Sequence, residues 1–513
     1  MSSKKEQYQH NHIHAKKKLS RTLGRSKLEE NLSCESCNST YCVRCLSKYR
    51  MPGESKAPTV CKNCFPTKLF ELTYVNRSFE EHRMFIKQYM IENIFHKSVD
   101  NNEILLSDND IERIHETQDG YYATRPQKPK IPVKAKVLDK VAMGMLKMSG
   151  MYEGGKFTRK YINKASRRTI KYIEKVDKIE KYVIKVPYRY TTNDYHFDDF
   201  GLSPDDILPP LVEDEPETYD LVVKVYYHED PSTAKTLQPV VMWMHGGGFV
   251  MGDVDDSVLN RTMQRFANMI NGVVVSVNYR LAPEFKWPTQ PEDCYSALYW
   301  IYEHGQQLLG IDPNLISIGG DSAGGNLSTV VAIMSKERNG PKIIHHVAVY
   351  PGVHGESTES ESYKNYGNGP FLRLSLLRWF KKQYLYAPDA NCGVHPYLSP
   401  LLYKSIVGLP CLSMITGGYC PLTDHAKQYA DRFYEARIPV SYSEYSTSFH
   451  GFYHSFSLES IQAITQTGIL FKLHIEIAKE ILYGKSKLPP APKIHEHEDA
   501  TDNVDYDEAD DNP

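Results

Sequence analysis

Three short stretches of this 513-residue chain carry residue types that can do chemistry together. Gly320-Asp321-Ser322-Ala323-Gly324 fits the G-x-S-x-G pattern, in which a serine sits on a sharp strand-to-helix turn. Such a turn closes only if the residues two positions either side lack bulk, hence glycine at 320 and 324. His245-Gly246-Gly247-Gly248 is a glycine run whose backbone N–H groups can approach a developing oxyanion, since no Cβ blocks the way. Ser448-Phe449-His450-Gly451-Phe452 supplies an imidazole. A serine hydroxyl is a poor nucleophile until a base takes its proton, so Ser322 needs a partner such as His450. Together the three stretches predict acyl transfer through an acyl-enzyme.

Each stretch needs an element to hold it. The apolar run VVMWMH leads into the glycines, LISIGG (Leu315 to Gly320) into the serine turn, and VSYSEY stands before the histidine. NLSTVVAIM, after the serine, has a helical pattern. Further strands are expected at LVVKVYYHED, VVVSVN (Val273 to Asn278), HVAVYP (His346 to Pro351) and CLSMIT (Cys411 to Thr416). Their apolar density and the intervening helical stretches imply a mostly parallel sheet covered on both faces. Glycine loop, then serine, then histidine is the chain order of an α/β-hydrolase fold. The domain is expected over 211–485, with the aromatic segment Glu361 to Tyr386 as a cap or pocket wall.

Within this region the chain resembles the hormone-sensitive-lipase family of α/β-hydrolases, which includes arylacetamide-deacetylase-like enzymes and many microbial carboxylesterases. The matching words are HGGGF, NYRLAPEFKWP (Asn278 to Pro288), PEDCYSALYW, GDSAGGNL, YLSPLL (Tyr397 to Leu402) and FHGF. The resemblance implies a serine carboxylic-ester hydrolase with Ser322 and His450 catalytic, and Gly246, Gly247 and Ala323 N–H as the oxyanion hole. No cofactor is implied for catalysis, and the substrate would be a small acyl ester or lipid.

The family orients its histidine with the first Asp of a D-P-L-x-D word. Here that word is Cys420-Pro421-Leu422-Thr423-Asp424, so a thiol holds the acid position. A thiol is a weak acceptor and mostly uncharged at neutral pH. Asp424, one helical turn on, is therefore a candidate third member of the triad. Without a good acid, the remaining groups would still catalyse at a loss of about 10⁴-fold. The alternative is a catalytically impaired hydrolase-fold binding module, as in the plant gibberellin receptors of this family, or a zinc-finger adaptor.

Residues 30–68 form a separate unit. Six of the ten cysteines fall in three pairs, Cys34/Cys37, Cys42/Cys45 and Cys61/Cys64, with so little apolar sequence between them that a structural zinc is expected. YCVRCLSKYRMPGESKAPTVCKNCF resembles the C-terminal half of a FYVE-type zinc finger. That resemblance implies one complete site from Cys34, Cys37, Cys61 and Cys64. An earlier CxxC, which would complete a second site with Cys42 and Cys45, is missing, leaving His10, His12 and His14 as the only substitutes. The basic phosphoinositide motif is missing too, so a degenerate, structural or protein-binding finger is expected, with a protein partner or a membrane surface as the partners it could meet.

The flanks carry less chemistry. Residues 1–29 are basic and expected to be disordered, and 69–210 reads as a helical linker and cap. Within that stretch Phe79 to Phe95 looks like an amphipathic helix, and Arg159 to Lys185 like a basic one. Residues 486–513 form an acidic tail with no core-forming pattern. The chain is 41% hydrophobic and 24% charged with net charge −2, which offers no overall attraction for nucleic acid. The start lacks the apolar core of a secretory signal. These features predict a cytoplasmic protein, peripheral to endomembranes or lipid droplets if the finger meets a membrane.

Overall fold

The computed structural model describes residues 31–33, 40–42, 79–96, 175–190, 215–355, 358–386, 395–455, 457–484 and 489–490. The chain divides into two units, 1–72 and 73–513. Described in the first is an antiparallel pair, β1 (Asn31–Ser33) with β2 (Thr40–Cys42), Ser33 opposite Thr40. Cys42 ends β2; Cys34, Cys37, Cys45, Cys61 and Cys64 lie outside the described residues, as do His10, His12, His14 and the acidic tail.

The second unit is built on one sheet of eight strands. They are β3 (Lys178–Pro187), β4 (Thr218–Tyr227), β5 (Gln238–Met244), β6 (Val273–Val277), β7 (Ile311–Asp321), β8 (His345–Val349), β9 (Cys411–Gly417) and β10 (Val440–Tyr445). Their order across the sheet is β10-β9-β8-β7-β5-β6-β4-β3. All neighbours from β5 to β10 pair in parallel, while β4 and β3 are added antiparallel at one edge. The central strands are buried throughout, since helices cover both faces. Side chains alternate between the faces. Val241 and Trp243 join one apolar layer, and Val240, Met242 and Met244 the other.

β3 corrects one expectation. Arg159 to Lys185 reads as a basic helix, yet Lys178–Pro187 is a strand paired residue for residue with β4. Alternation decides it. Ile184 and Val186 point inward while Lys181, Val183 and Lys185 are exposed, so period two is satisfied over charged residues. The sheet therefore begins well before the expected boundary at 211.

The helices are α1 (Phe79–Tyr89, continued by a π turn over Met90–Ile94), α2 (Ser257–Ile270), α3 (Thr289–Leu309), α4 (Ala323–Glu337), α5 (Glu361–Tyr366), α6 (Leu374–Tyr384), α7 (Thr423–Glu435) and α8 (Leu458–Tyr483). Of the expected linker and cap over 69–210, only 79–96 and 175–190 lie within the described residues. α1, the expected amphipathic helix, packs on α8. Ile86, Met90 and Ile94 are buried there, and Arg83 and Lys87 reach Glu480. Each buried apolar side chain contributes about 1.5–3 kcal/mol, against about 0–1 for a part-exposed ion pair, so apolar burial holds the helix.

Two of the family-like words meet through a buried ion pair. Arg280 of NYRLAPEF pairs with Asp293 of PEDCY, both side chains fully buried, at 2.6 Å. The guanidinium also donates to the carbonyls of Pro187 and Tyr188, and the Asp293 carboxylate accepts from Tyr190. With its hydrogen bonds filled, this buried pair locks β3 to the β6–α3 connection. Removing either partner would strand a buried charge.

Candidate active site

The serine turn is where β7 gives way to α4. Ser322 has φ 55 and ψ −114, backbone a non-glycine residue adopts only when its surroundings over-determine it. Here they do. Ser322 N donates to Val349 O at 2.8 Å, and Asn326 N to Ser322 O at 3.0 Å. Gly324 lies so near β5 that a Cβ there would stand 2.0 Å from Met244 O. The turn presents Ser322 at the amino end of α4, where the helix dipole favours negative charge.

His450 arrives on the loop after β10. Its Nε2 is 2.8 Å from Ser322 Oγ, and the ring of Tyr350 packs against its own at 4.5 Å between centroids. The imidazole is buried, and burial pulls its pKa down to about 4 even though the Asp321 charge pushes the other way. It is therefore neutral near pH 7, the form that can accept a proton.

On the other nitrogen stands Cys420, with Sγ 3.2 Å from His450 Nδ1. The loops carrying the two are tied together: Gly418 N donates to Tyr445 O, and Tyr419 N to Ser448 O. Asp424 is not brought to the imidazole. Its Oδ2 accepts from Ser362 N at 2.7 Å, and its own N–H donates to Ser362 Oγ, so it anchors the start of α5. The reason is the helix: Asp424 sits in the first turn of α7, and its side chain serves the orphan amide of the neighbouring helix.

The glycine loop needs a second correction. Gly246 N donates to Asp321 Oδ1 at 3.2 Å, so it is occupied. The N–H groups of Gly247 and Gly248 donate to no protein acceptor among the described residues, and both glycines line the cavity beside Ser322. With Ala323 N–H at the head of α4, they form the donor set the geometry leaves free. Sequence reasoning passed over Gly248, although it is the third glycine of the same word.

Cavities flank Ser322 on two sides. One, of about 370 Å³, is walled by the glycine loop, Tyr350, Leu376, His450 and His454. The other, of about 320 Å³, is walled by Phe249, Leu374, Leu377, Tyr384 and Leu398. Leu372 and Phe380 line both, so the segment Glu361 to Tyr386 supplies wall residues to each cavity. An imidazole that can take a hydroxyl proton, free N–H donors and an apolar slot on either side are the parts acyl transfer requires.

The sheet order, the strained serine turn and the histidine loop define an α/β-hydrolase. A family model described as the alpha/beta hydrolase fold matches residues 241–454. The chain is 30% identical to an arylesterase of Saccharolobus solfataricus over 286 residues, 54% of this chain and 91% of that protein. It belongs to the α/β-hydrolase family. Against the esterase LipI of Mycobacterium tuberculosis it is 34% identical over 214 residues, 42% of this chain. That match spans 65% of LipI, slightly less than two thirds of its length. Among solved structures, a hyperthermophilic esterase from the archaeon Pyrobaculum calidifontis superimposes with TM-score 0.52 at 26% identity, covering 67% of this chain and 98% of that one.

Proposed function

We propose that this chain hydrolyses small carboxylic esters through an acyl-enzyme on Ser322. The observation that carries the reading is the 2.8 Å contact of Ser322 Oγ with His450 Nε2, at a strained turn facing the free amides of Gly247 and Gly248. Ser322 Oγ attacks the ester carbonyl carbon while its proton passes to His450 Nε2. The carbonyl oxygen becomes an oxyanion held by the N–H groups of Gly247, Gly248 and Ala323. As the intermediate collapses, the C–O bond to the alcohol breaks and His450 returns the proton to the leaving oxygen. Water then attacks the acyl-enzyme by the same route and releases the acid. The esterase names of the relatives support the ester as substrate.

Labelling by a fluorophosphonate probe tests the reading without knowledge of the substrate. Ser322 should be labelled and Ser322→Ala should not, and the wild type should hydrolyse a short-chain aryl ester that Ser322→Ala leaves intact. An unlabelled, folded wild type would turn the assignment toward a binding module. In the first unit, the cysteine spacing supports a structural zinc on Cys34, Cys37, Cys61 and Cys64, four thiolates being the donor set of a closed tetrahedral site.

A further inference from the structure

We propose that Asp321, clasped by His454, is a positioning residue that holds the glycine loop and the histidine loop around Ser322, doing work that a carboxylate at position 420 would otherwise share. The inference rests on the acyl-transfer reading above. It starts from a deficit: the group on His450 Nδ1 is the Cys420 thiol, which accepts a hydrogen bond weakly and brings no charge as a neutral group. When His450 takes the Ser322 proton, an imidazolium forms in a buried site, and a neutral thiol does little to stabilise it.

One carboxylate touches all three segments that must meet. Asp321 immediately precedes Ser322. Its Oδ1 accepts from Gly246 N at 3.2 Å, the residue leading into the two free glycine amides. The same oxygen is 3.0 Å from Nε2 of His454, four residues beyond His450 on the same loop. The approach of the glycine loop is close, since a Cβ on Gly246 would stand 2.3 Å from Asp321 Oδ2. Asp321 is 4% exposed and lines the cavity with His450 and His454.

The electrostatics agree with the geometry. Burial pushes the Asp321 carboxyl up, but the charge and hydrogen bond of His454 outweigh it and hold the group below its ordinary range. Burial likewise disfavours the His454 cation, and Asp321 more than compensates. Asp321 is also the charge that favours the protonated form of His450. A mere structural pin would tie the loops without that last effect.

The test is a double-mutant cycle between Asp321→Asn and Cys420→Asp, read as kcat and KM on p-nitrophenyl acetate. Asp321→Asn preserves shape and can still accept from Gly246 N, but loses the charge. Alone it should lower kcat by about ten- to a hundredfold, with KM changed less than about threefold. With Cys420→Asp supplying a carboxylate to His450, the same change should cost less than about threefold, because the two charges serve one transition state. An equal loss in both backgrounds, or none in the first, would overturn the proposal.

Should Asp321→Asn fail to fold, the His454 variants carry the test. His454→Gln can still donate to the carboxylate and should stay within about threefold of wild type, while His454→Leu should lose about tenfold. Equal activity of the two would also overturn it. Should the wild type itself prove inactive and unlabelled, the acyl-transfer reading fails. The positioning claim is then judged by the His450 imidazole titration in NMR, whose midpoint must fall in Asp321→Asn for it to survive.

Discussion

Cys420 Sγ stands 3.2 Å from Nδ1 of His450, in the place from which a carboxylate would orient a catalytic imidazole. The thiol reaches that place because the loops after β9 and β10 are sewn together by backbone hydrogen bonds, independent of which side chain position 420 carries. The site is thus shaped for an acid that it lacks.

Replacing the thiol should therefore restore function. Cys420→Asp should raise kcat on a short-chain aryl ester at least about tenfold, and up to about 10⁴-fold if no other group now does the work. Asp424→Asn should change kcat less than about threefold, because that carboxylate serves Ser362 rather than His450. The pH profile should move as well. With His450 held to about 4, the acid limb of kcat/KM lies near that value, and the new aspartate should shift it upward by favouring the imidazolium. A loss of activity in Cys420→Asp, or a collapse in Asp424→Asn, would reverse the assignment of the two positions.

Gly324→Ala tests the turn by sterics alone. The added methyl would meet the carbonyls of Met244 and His245, both main chain and unable to swing aside. A cost of about 1–3 kcal/mol in thermal or denaturant unfolding is expected, together with loss of probe labelling at Ser322 as the turn opens. Unchanged stability and labelling would mean that the strand and helix are not packed as closely as described.

The buried histidines predict acid lability. Burial lowers His346 to about 3 and His474 to about 4, and holds His345 well below its ordinary value. His425 and His450, each lowered to about 4, behave alike. Below about pH 6.5 the unfolded chain takes up these protons while the folded one refuses them, so folding stability is lost as pH falls from there toward 4. Differential scanning calorimetry should show Tm falling steeply between about pH 6 and 4.5. His454, which Asp321 holds above its ordinary value, works the other way and loses its contribution as pH rises above about 6.5. His346→Asn or His474→Asn should each flatten the fall; a Tm indifferent to pH over that window would count against neutral burial.

Much of this protein was legible in its sequence. Apolar runs such as VVMWMH and LISIGG determine parallel strands, since only a strand covered on both faces can use apolar residues without alternation. Gly320 and Gly324 around Ser322 determine the turn, because local sterics permit little else. Ser322 and His450 could be named from their words alone. What tertiary structure decided are the contacts that cross between those words. Lys178–Pro187 carries its period-two pattern among charged residues, so its strand shows only once β4 offers an edge to pair with and a face to bury Ile184 and Val186. Whether Cys420 or Asp424 faces His450 depends on the pairing of two loop backbones and on the hydrogen bond that draws Asp424 to Ser362. Gly246 loses its place among the free donors to a carboxylate whose partner lies far along the chain, at His454. Spacing within a word reports local geometry, but a hydrogen bond between distant segments depends on the position of both backbones, which exists only once the sheet has assembled.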